Sequence, residues 1–254
     1  MHYWLTSSNG SGHGIHSPFV FDFIKQVLKD KKLYSAYSTI EKVRYNLLND
    51  SSIIEVEDFG AGSTVIKTNQ RSVGKIAGSS LKSKKYAQLL FRIVQYYKPS
   101  SLIELGTSFG ITTSYLASAN SQATVTTFEG ASAIAAIAER NFKALAINNV
   151  QLIIGDFSNK LPEFLGNERK FDFAFIDGNH RKEPTLQYFE ILLKSSHEST
   201  MVIFDDIHWS DEMEAAWEGI KNHAAVTLTI DLFFIGLVFL KKDFKVKQHF
   251  TIRF

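Results

Sequence analysis

The sequence predicts an α/β fold. It is a doubly wound, Rossmann-like, seven-stranded and mostly parallel sheet with a terminal antiparallel strand pair, plus a helical N-terminal cap. Three observations lead there. From residue 101 onward, short apolar runs alternate with helical patterns, as in a parallel sheet covered by helices on both faces. Ser101-Leu-Ile-Glu-Leu-Gly-Thr-Ser-Phe-Gly-Ile-Thr-Thr-Ser-Tyr-Leu116 reads as a strand, a glycine turn suited to a ligand, and a helix. Near the end, residues 226–240 hold two β-rich runs with no helix between them, which reads as an antiparallel pair with a tight turn near Leu232–Phe234.

In chain order, His16-Ser-Pro-Phe-Val-Phe-Asp-Phe-Ile-Lys-Gln-Val-Leu28 opens the cap as a helix, with Ser17 as N-cap and Pro18 at the first helical position. The nearby aromatics Phe19, Phe21, Phe23, Tyr34 and Tyr37 are expected in the core rather than around a ligand. Residues 50–80, rich in Gly, Ser and Lys, read as a long loop that could act as a lid. Within it, Glu57-Asp-Phe-Gly-Ala-Gly-Ser63 imitates a ligand loop. The following Val73-Gly-Lys-Ile-Ala-Gly-Ser79 looks too glycine-rich for a helix, so the imitation reads as a decoy. His13 and His16 are candidates for reaching a substrate pocket or for a structural role. A helix follows at 82–97, with Leu89, Leu90, Ile93 and Val94 facing the core. Strands are expected at 101–105, 123–128, 150–154, 171–176 and 200–204. Helices are expected at about 111–119, 132–146, 160–165, 184–194 and 211–223. The chain thus divides into a cap and lid over 1–85 and a main domain over 86–254.

Composition narrows the function. With 254 residues and 44% hydrophobic content, the chain can bury a sizeable core. Residues 1–85 carry 12 Lys/Arg against 7 Asp/Glu, yet the net charge is only +2 and no Arg-rich stripe appears, so nucleic acid is not an expected partner. The absence of cysteine excludes disulfides and thiolate metal sites and fits a cytoplasmic protein. The N-terminus lacks both the basic start and the apolar core of a signal peptide. The longest apolar run, Leu232–Leu240, is too short to span a bilayer as a helix. A small-molecule substrate, no membrane span and compatibility with a homo-oligomer are the resulting expectations.

Polar groups recur at the expected strand ends, where open α/β sheets bind ligands. Glu104 precedes the turn formed by Gly106, Thr107, Ser108 and Gly110, whose glycines permit close backbone approach beside a helix start. Nineteen residues after Gly110, Glu129 ends the second strand, a place from which a carboxylate accepts ribose hydroxyls. Asp156 and Phe157 follow the third strand and could flank a planar base. After the fourth and fifth strands stand Asp177-Gly-Asn-His180 and Asp205-Asp206-Ile-His-Trp209. Three carboxylates brought together repel unless a cation neutralises them, and a hard divalent ion such as Mg²⁺ suits oxygen donors. The competing role for Asp205 or Asp206 is capping the next helix, and for His180 a helix-start or supporting role. His208 reads as a substrate-side or structural residue.

A dinucleotide fingerprint needs a middle glycine that Gly106-Thr-Ser-Phe-Gly110 lacks, which disfavours a dehydrogenase. Over roughly 86–240 the sequence instead resembles the class I S-adenosylmethionine-dependent methyltransferases, through Glu-Leu-Gly-x-x-x-Gly, the acidic end of strand two, Gly155-Asp156-Phe157 and the final antiparallel pair. The resemblance implies that Glu104 and the 106–110 loop hold the cofactor's amino-acid portion, that Glu129 binds its ribose, and that Asp156 and Phe157 lie beside its adenine. Asp177-Gly-Asn-His180 further resembles the metal-dependent O-methyltransferases carrying Asp-Gly-x-His. That implies Asp177, Asp205 and Asp206 as ligands of Mg²⁺ or another divalent cation, with Asp177 also bordering the cofactor, and His180 as general base toward a sugar or phenol hydroxyl. The alternatives are a metal-independent methyltransferase acting on nitrogen or another group, and a non-catalytic nucleoside-binding protein on the same fold.

Overall fold

Alternating strands and helices recur in the anticipated order in the computed structural model, which describes residues 16–56 and 70–254. His13 and the glycine loop Glu57–Ser63 lie outside the described residues. The first helix, α1 (Pro18–Phe23), runs on as a π-helical segment over Ile24–Leu28. Ser17 takes the N-cap place with Pro18 just inside the helix, but its side chain makes no capping hydrogen bond. Eight strands make a mostly parallel main sheet, alongside a separate two-stranded one. The chain separates into two compact units, residues 31–160 and residues 1–30 with 161–254.

The unit of residues 31–160 begins with α2 (Ser35–Leu48), followed by the antiparallel pair β1 (Ile53–Glu55) and β2 (Gln70–Ser72), then α3 (Val73–Ser80). These elements correct the expectation of a long loop over 50–80 at residues 53–55 and 70–80. Ser72 Oγ caps α3 by accepting from Lys75 N at 3.3 Å, while Val73, Ile76 and Ala77 bury one face. Gly74 does not break this helix; it permits its packing. A Cβ there would lie 2.9 Å from Leu48 O and 3.0 Å from Asp50 O, and Gly74 N donates to Asp50 O at 2.8 Å. A close backbone approach of this kind is a use of glycine that propensity scales do not register. Next come α4 (Lys84–Tyr97), β3 (Ser101–Leu105), α5 (Ile111–Ala119), β4 (Thr124–Glu129), α6 (Ser132–Ala144) and β5 (Val150–Ile154). The face of α4 formed by Leu89, Leu90, Ile93 and Val94 is fully buried, as its spacing predicts. β3 pairs with β4 and β4 with β5, both parallel, so the carboxyl ends of all three strands share one edge.

The second unit holds most of α7 (Phe157–Leu165), then β6 (Phe173–Ile176), α8 (Lys182–Ser195), β7 (Met201–Asp205), α9 (Asp211–Asn222), β8 (Leu228–Asp231), β9 (Ile235–Phe239) and β10 (Gln248–Thr251). β6 and β7 are parallel, and β9 pairs antiparallel with both β7 and β8. The tight turn falls at Leu232–Phe234, where Leu232 N donates to Ile235 O at 2.9 Å and Phe233 adopts φ 74°. β10 adds a strand beyond the seven expected, parallel to β8. Its Gln-His-Phe-Thr sequence has none of the apolar length that signals a central strand. Gly236 leaves room for Trp217, whose ring a Cβ would meet at 2.6 Å. Of the cap aromatics, Phe23 and Tyr37 are buried as expected, whereas Phe21 is 45% exposed. Among the described residues no helix is long and apolar enough to cross a membrane.

Candidate active site

The glycine turn after β3 is held by backbone bonds to the neighbouring strand. Gly106 N and Thr107 N both donate to Phe128 O at 3.0 Å, and Gly106 takes φ 103°. Gly110 takes φ 77° and stands just before α5. A Cβ on it would lie 2.5 Å from the Phe142 ring, so glycine here serves helix packing as well as the turn. Ser108, at φ 48°, is the junction of the loop. Its N–H donates to Glu129 Oε2 at 2.8 Å, and Ala131 N donates to the other carboxylate oxygen at 3.0 Å. Burial pushes the Glu129 carboxyl up, and these backbone donors pull part of the way back.

Glu104 has no exposed surface. The hydroxyls of Thr113 and Thr127 donate to its Oε2, and Thr127 is in turn 2.6 Å from Thr107 Oγ1. Glu104 therefore braces the loop from beneath, between α5 and β4. Gly155 N donates to Glu129 O at 2.9 Å, joining the ends of the second and third of these strands. Asp156 and Phe157 follow half-buried, the carbonyl of Asp156 accepting from Lys160 N at 2.9 Å at the start of α7.

In the other unit, ligand atoms of Asp177, His180 and Asp205 all lie within 4.8 Å of one another. His180 Nε2 is 3.7 Å from Asp177 Oδ1. The turn between them contains Asn179 at φ 53°, whose amide donates to the hydroxyl of buried Tyr188 at 3.3 Å. Asp206 stands outside this cluster. It takes φ 53° directly after β7, and its carbonyl accepts from Trp209 N at 2.9 Å. Neither Asp205 nor Asp206 caps α9; Ser210 does, its Oγ accepting from Met213 N at 3.2 Å. Two carboxylates and an imidazole at this separation suit a divalent cation, and the imidazole extends the choice from Mg²⁺ toward Mn²⁺ and its neighbours. Two contacts escape sequence inspection: His208 with Asp231, 23 residues away, and Ser80 with Ser108, 28 residues away. No local spacing signals either pair.

Residues 103–207 match the family described as a methyltransferase domain. That match covers less than half of the chain. The matched stretch spans the strand-end residues from Glu104 to Asp206. Among solved structures, the fold of this chain is similar to an O-methyltransferase from Bacillus cereus in complex with SAH, at 23% identity and TM-score 0.57, covering 87% of this chain and 97% of that one. It is also similar to an SAH-bound methyltransferase from Podospora anserina, at 14% identity and TM-score 0.62, covering 89% and 97%. A third is the O-methyltransferase TomG from Streptomyces achromogenes, involved in tomaymycin synthesis and solved with SAM, at 16% identity and TM-score 0.59, covering 87% and 95%. No curated protein matches the chain by sequence. The chain thus has the Rossmann-like fold of these solved structures.

Proposed function

We propose that the protein methylates a hydroxyl of a small acceptor, a sugar or a phenol, using S-adenosylmethionine and a divalent cation, Mg²⁺ or another. The observation that carries this reading is the convergence of Asp177, His180 and Asp205 at and after the ends of parallel strands, within the stretch that matches a methyltransferase domain. The cofactor supplies an electrophilic methyl on a sulfonium, and a bound cation lowers the pKa of a hydroxyl beside it.

The chain's residues supply the rest. The backbone of Gly106, Thr107, Ser108 and Gly110 receives the amino-acid end of the cofactor, with Glu104 bracing that loop. Glu129, its carboxylate already aimed by two N–H donors, accepts the ribose hydroxyls. Asp156 and Phe157 flank the adenine. Asp177, Asp205 and Asp206 are the proposed cation ligands. His180 takes the acceptor's hydroxyl proton, which leaves the oxygen nucleophilic. A cytoplasmic setting belongs to the same proposal and is supported by a chain without cysteine.

One observation favours a second assignment within this reading: His180, not Asp206, shares the cluster with Asp177 and Asp205. His180 would then be a cation ligand rather than the base.

The test is formation of S-adenosylhomocysteine with a panel of hydroxylated acceptors, with Mn²⁺ or Mg²⁺ and with a chelator. Turnover should vanish with chelator and return with metal, and Asp177→Ala should abolish it while cofactor binding persists. His180→Ala should cost on the order of 10²–10⁴-fold in kcat as a base. Unchanged turnover in that variant removes His180 from the mechanism, and chelator-insensitive turnover removes the cation. Mn²⁺ affinity, read by electron paramagnetic resonance, separates the two roles: a base leaves it intact in His180→Ala, a ligand does not.

A further inference from the structure

Helix α3, which the sequence disguises as part of a loop, ends at Ser80, and Ser80 Oγ lies 2.8 Å from Ser108 Oγ in the glycine turn. The direction of this bond follows from hydrogen counting. A serine hydroxyl has one hydrogen, and that of Ser80 is donated to Ile76 O at 2.9 Å, within its own helix. Ser108 is therefore the donor in the serine pair, and Ser80 the acceptor. Ser108 N–H is committed as well, to Glu129 Oε2 at 2.8 Å. With both hydrogens engaged, the lone pairs are what the Ser108 hydroxyl offers a ligand, so the group that meets it must be a donor. Of the two charged groups at the amino-acid end of S-adenosylmethionine, only the ammonium donates.

We infer that Ser80 is a positioning residue for the cofactor site: it turns the Ser108 hydroxyl into an acceptor for the α-ammonium group. The inference rests on the S-adenosylmethionine reading above and adds to it a residue from the N-terminal segment. The placement of Ser80 depends on the close packing of Gly74 against Leu48 O and Asp50 O, which seats α3. Ser108 itself holds φ 48°, a conformation a serine keeps only where its surroundings fix it, and the bonds at its N–H and hydroxyl do so.

The experiment is calorimetric titration of the intact protein with S-adenosylhomocysteine and, separately, with 5′-methylthioadenosine, which keeps the nucleoside but has neither ammonium nor carboxylate. Ser80→Ala should weaken S-adenosylhomocysteine by roughly 3- to 10-fold and leave methylthioadenosine unchanged. Ser80→Thr, which keeps the hydroxyl, should restore the affinity. Ser80 is exposed, so the melting temperature should move by no more than about 2 °C. Equal affinity of Ser80→Ala and the parent chain for S-adenosylhomocysteine overturns the inference while leaving the function standing. Equal weakening toward both ligands overturns it too, since the effect would not belong to the ammonium. Failure of the parent chain to bind S-adenosylhomocysteine overturns the functional reading, and this inference with it.

Discussion

His208 Nε2 stands 2.8 Å from Asp231 Oδ2, and its other ring nitrogen is 3.3 Å from Glu214 Oε1. Asp231 also accepts Phe233 N at 2.8 Å, and the His208 ring stacks on Phe233 with centroids 5.6 Å apart. The turn after β7, which follows Asp205 and Asp206, is thereby tied to the turn between β8 and β9. An imidazole hydrogen-bonded to a carboxylate at each nitrogen is best satisfied as the cation, which carries an N–H at both.

The hydrogen bond that His208 donates to Asp231 is the main cause holding the His208 pKa above its usual 6.5. Folding therefore favours the protonated ring. This contribution is fully present below the unfolded-state pKa and is lost as pH rises through the higher folded-state value. The parent chain should melt higher near pH 6 than near pH 8 by an amount that Asp231→Asn largely removes. Asp231→Asn should also lower stability at about pH 6 by roughly 1–3 kcal/mol, since a buried acceptor with two partners is weakened. Thermal unfolding at the two pH values decides it. An identical pH dependence in parent and variant would place the titrating group elsewhere.

Gly110→Ala tests the packing of the turn. The substitution meets two obstacles: a φ of 77°, and a Cβ 2.5 Å from the Phe142 ring. Together they should cost roughly 2–4 kcal/mol of stability. Phe142→Leu in the Gly110→Ala background should recover part of the loss, because it removes the clash but not the backbone strain. Chemical denaturation of the two variants measures both terms; no recovery in the double variant would mean that strain alone sets the cost.

The order of strands and helices from 101 to 240 was legible because period and punctuation agree there: apolar runs, glycine turns and amphipathic stretches alternate without conflict. Strands β3 and β5 and helix α5 fall at the expected residues. The segment before residue 80 misleads for a physical reason. Gly74 and Gly78 look like helix breakers, yet Gly74 is a contact point against Leu48 and Asp50, which only the assembled structure supplies. The strand-end residues Glu104, Glu129, Asp177, His180 and Asp205 were visible because each ends or follows a strand. What each one touches was not. The bonds of buried Glu104 with two threonines, the separation of Asp206 from its neighbour's cluster, and the Ser80–Ser108 bond all depend on partners far away in sequence or on backbone turns.

In the proposed function, Glu129 should give stability and ligand affinity opposite pH dependences. Burial holds its folded-state pKa above the ordinary 4.5, so the unliganded fold favours the protonated carboxyl. The associated stability is fully present below the unfolded-state pKa and is lost as pH rises through the raised folded-state value. Ribose hydroxyls, on the proposed role of Glu129, would donate to the ionised carboxylate, so affinity for S-adenosylhomocysteine should rise over that same range and proton release should accompany binding there. Glu129→Gln should flatten the affinity profile and weaken binding at neutral pH on the order of 10- to 100-fold, the range for a hydrogen bond to a charged acceptor. Calorimetric titration near pH 5 and pH 7.5, in buffers of different ionisation enthalpy, reads both affinity and proton release. A parent chain whose affinity falls toward pH 5 no more than that of Glu129→Gln would show that this carboxylate does not meet the ligand.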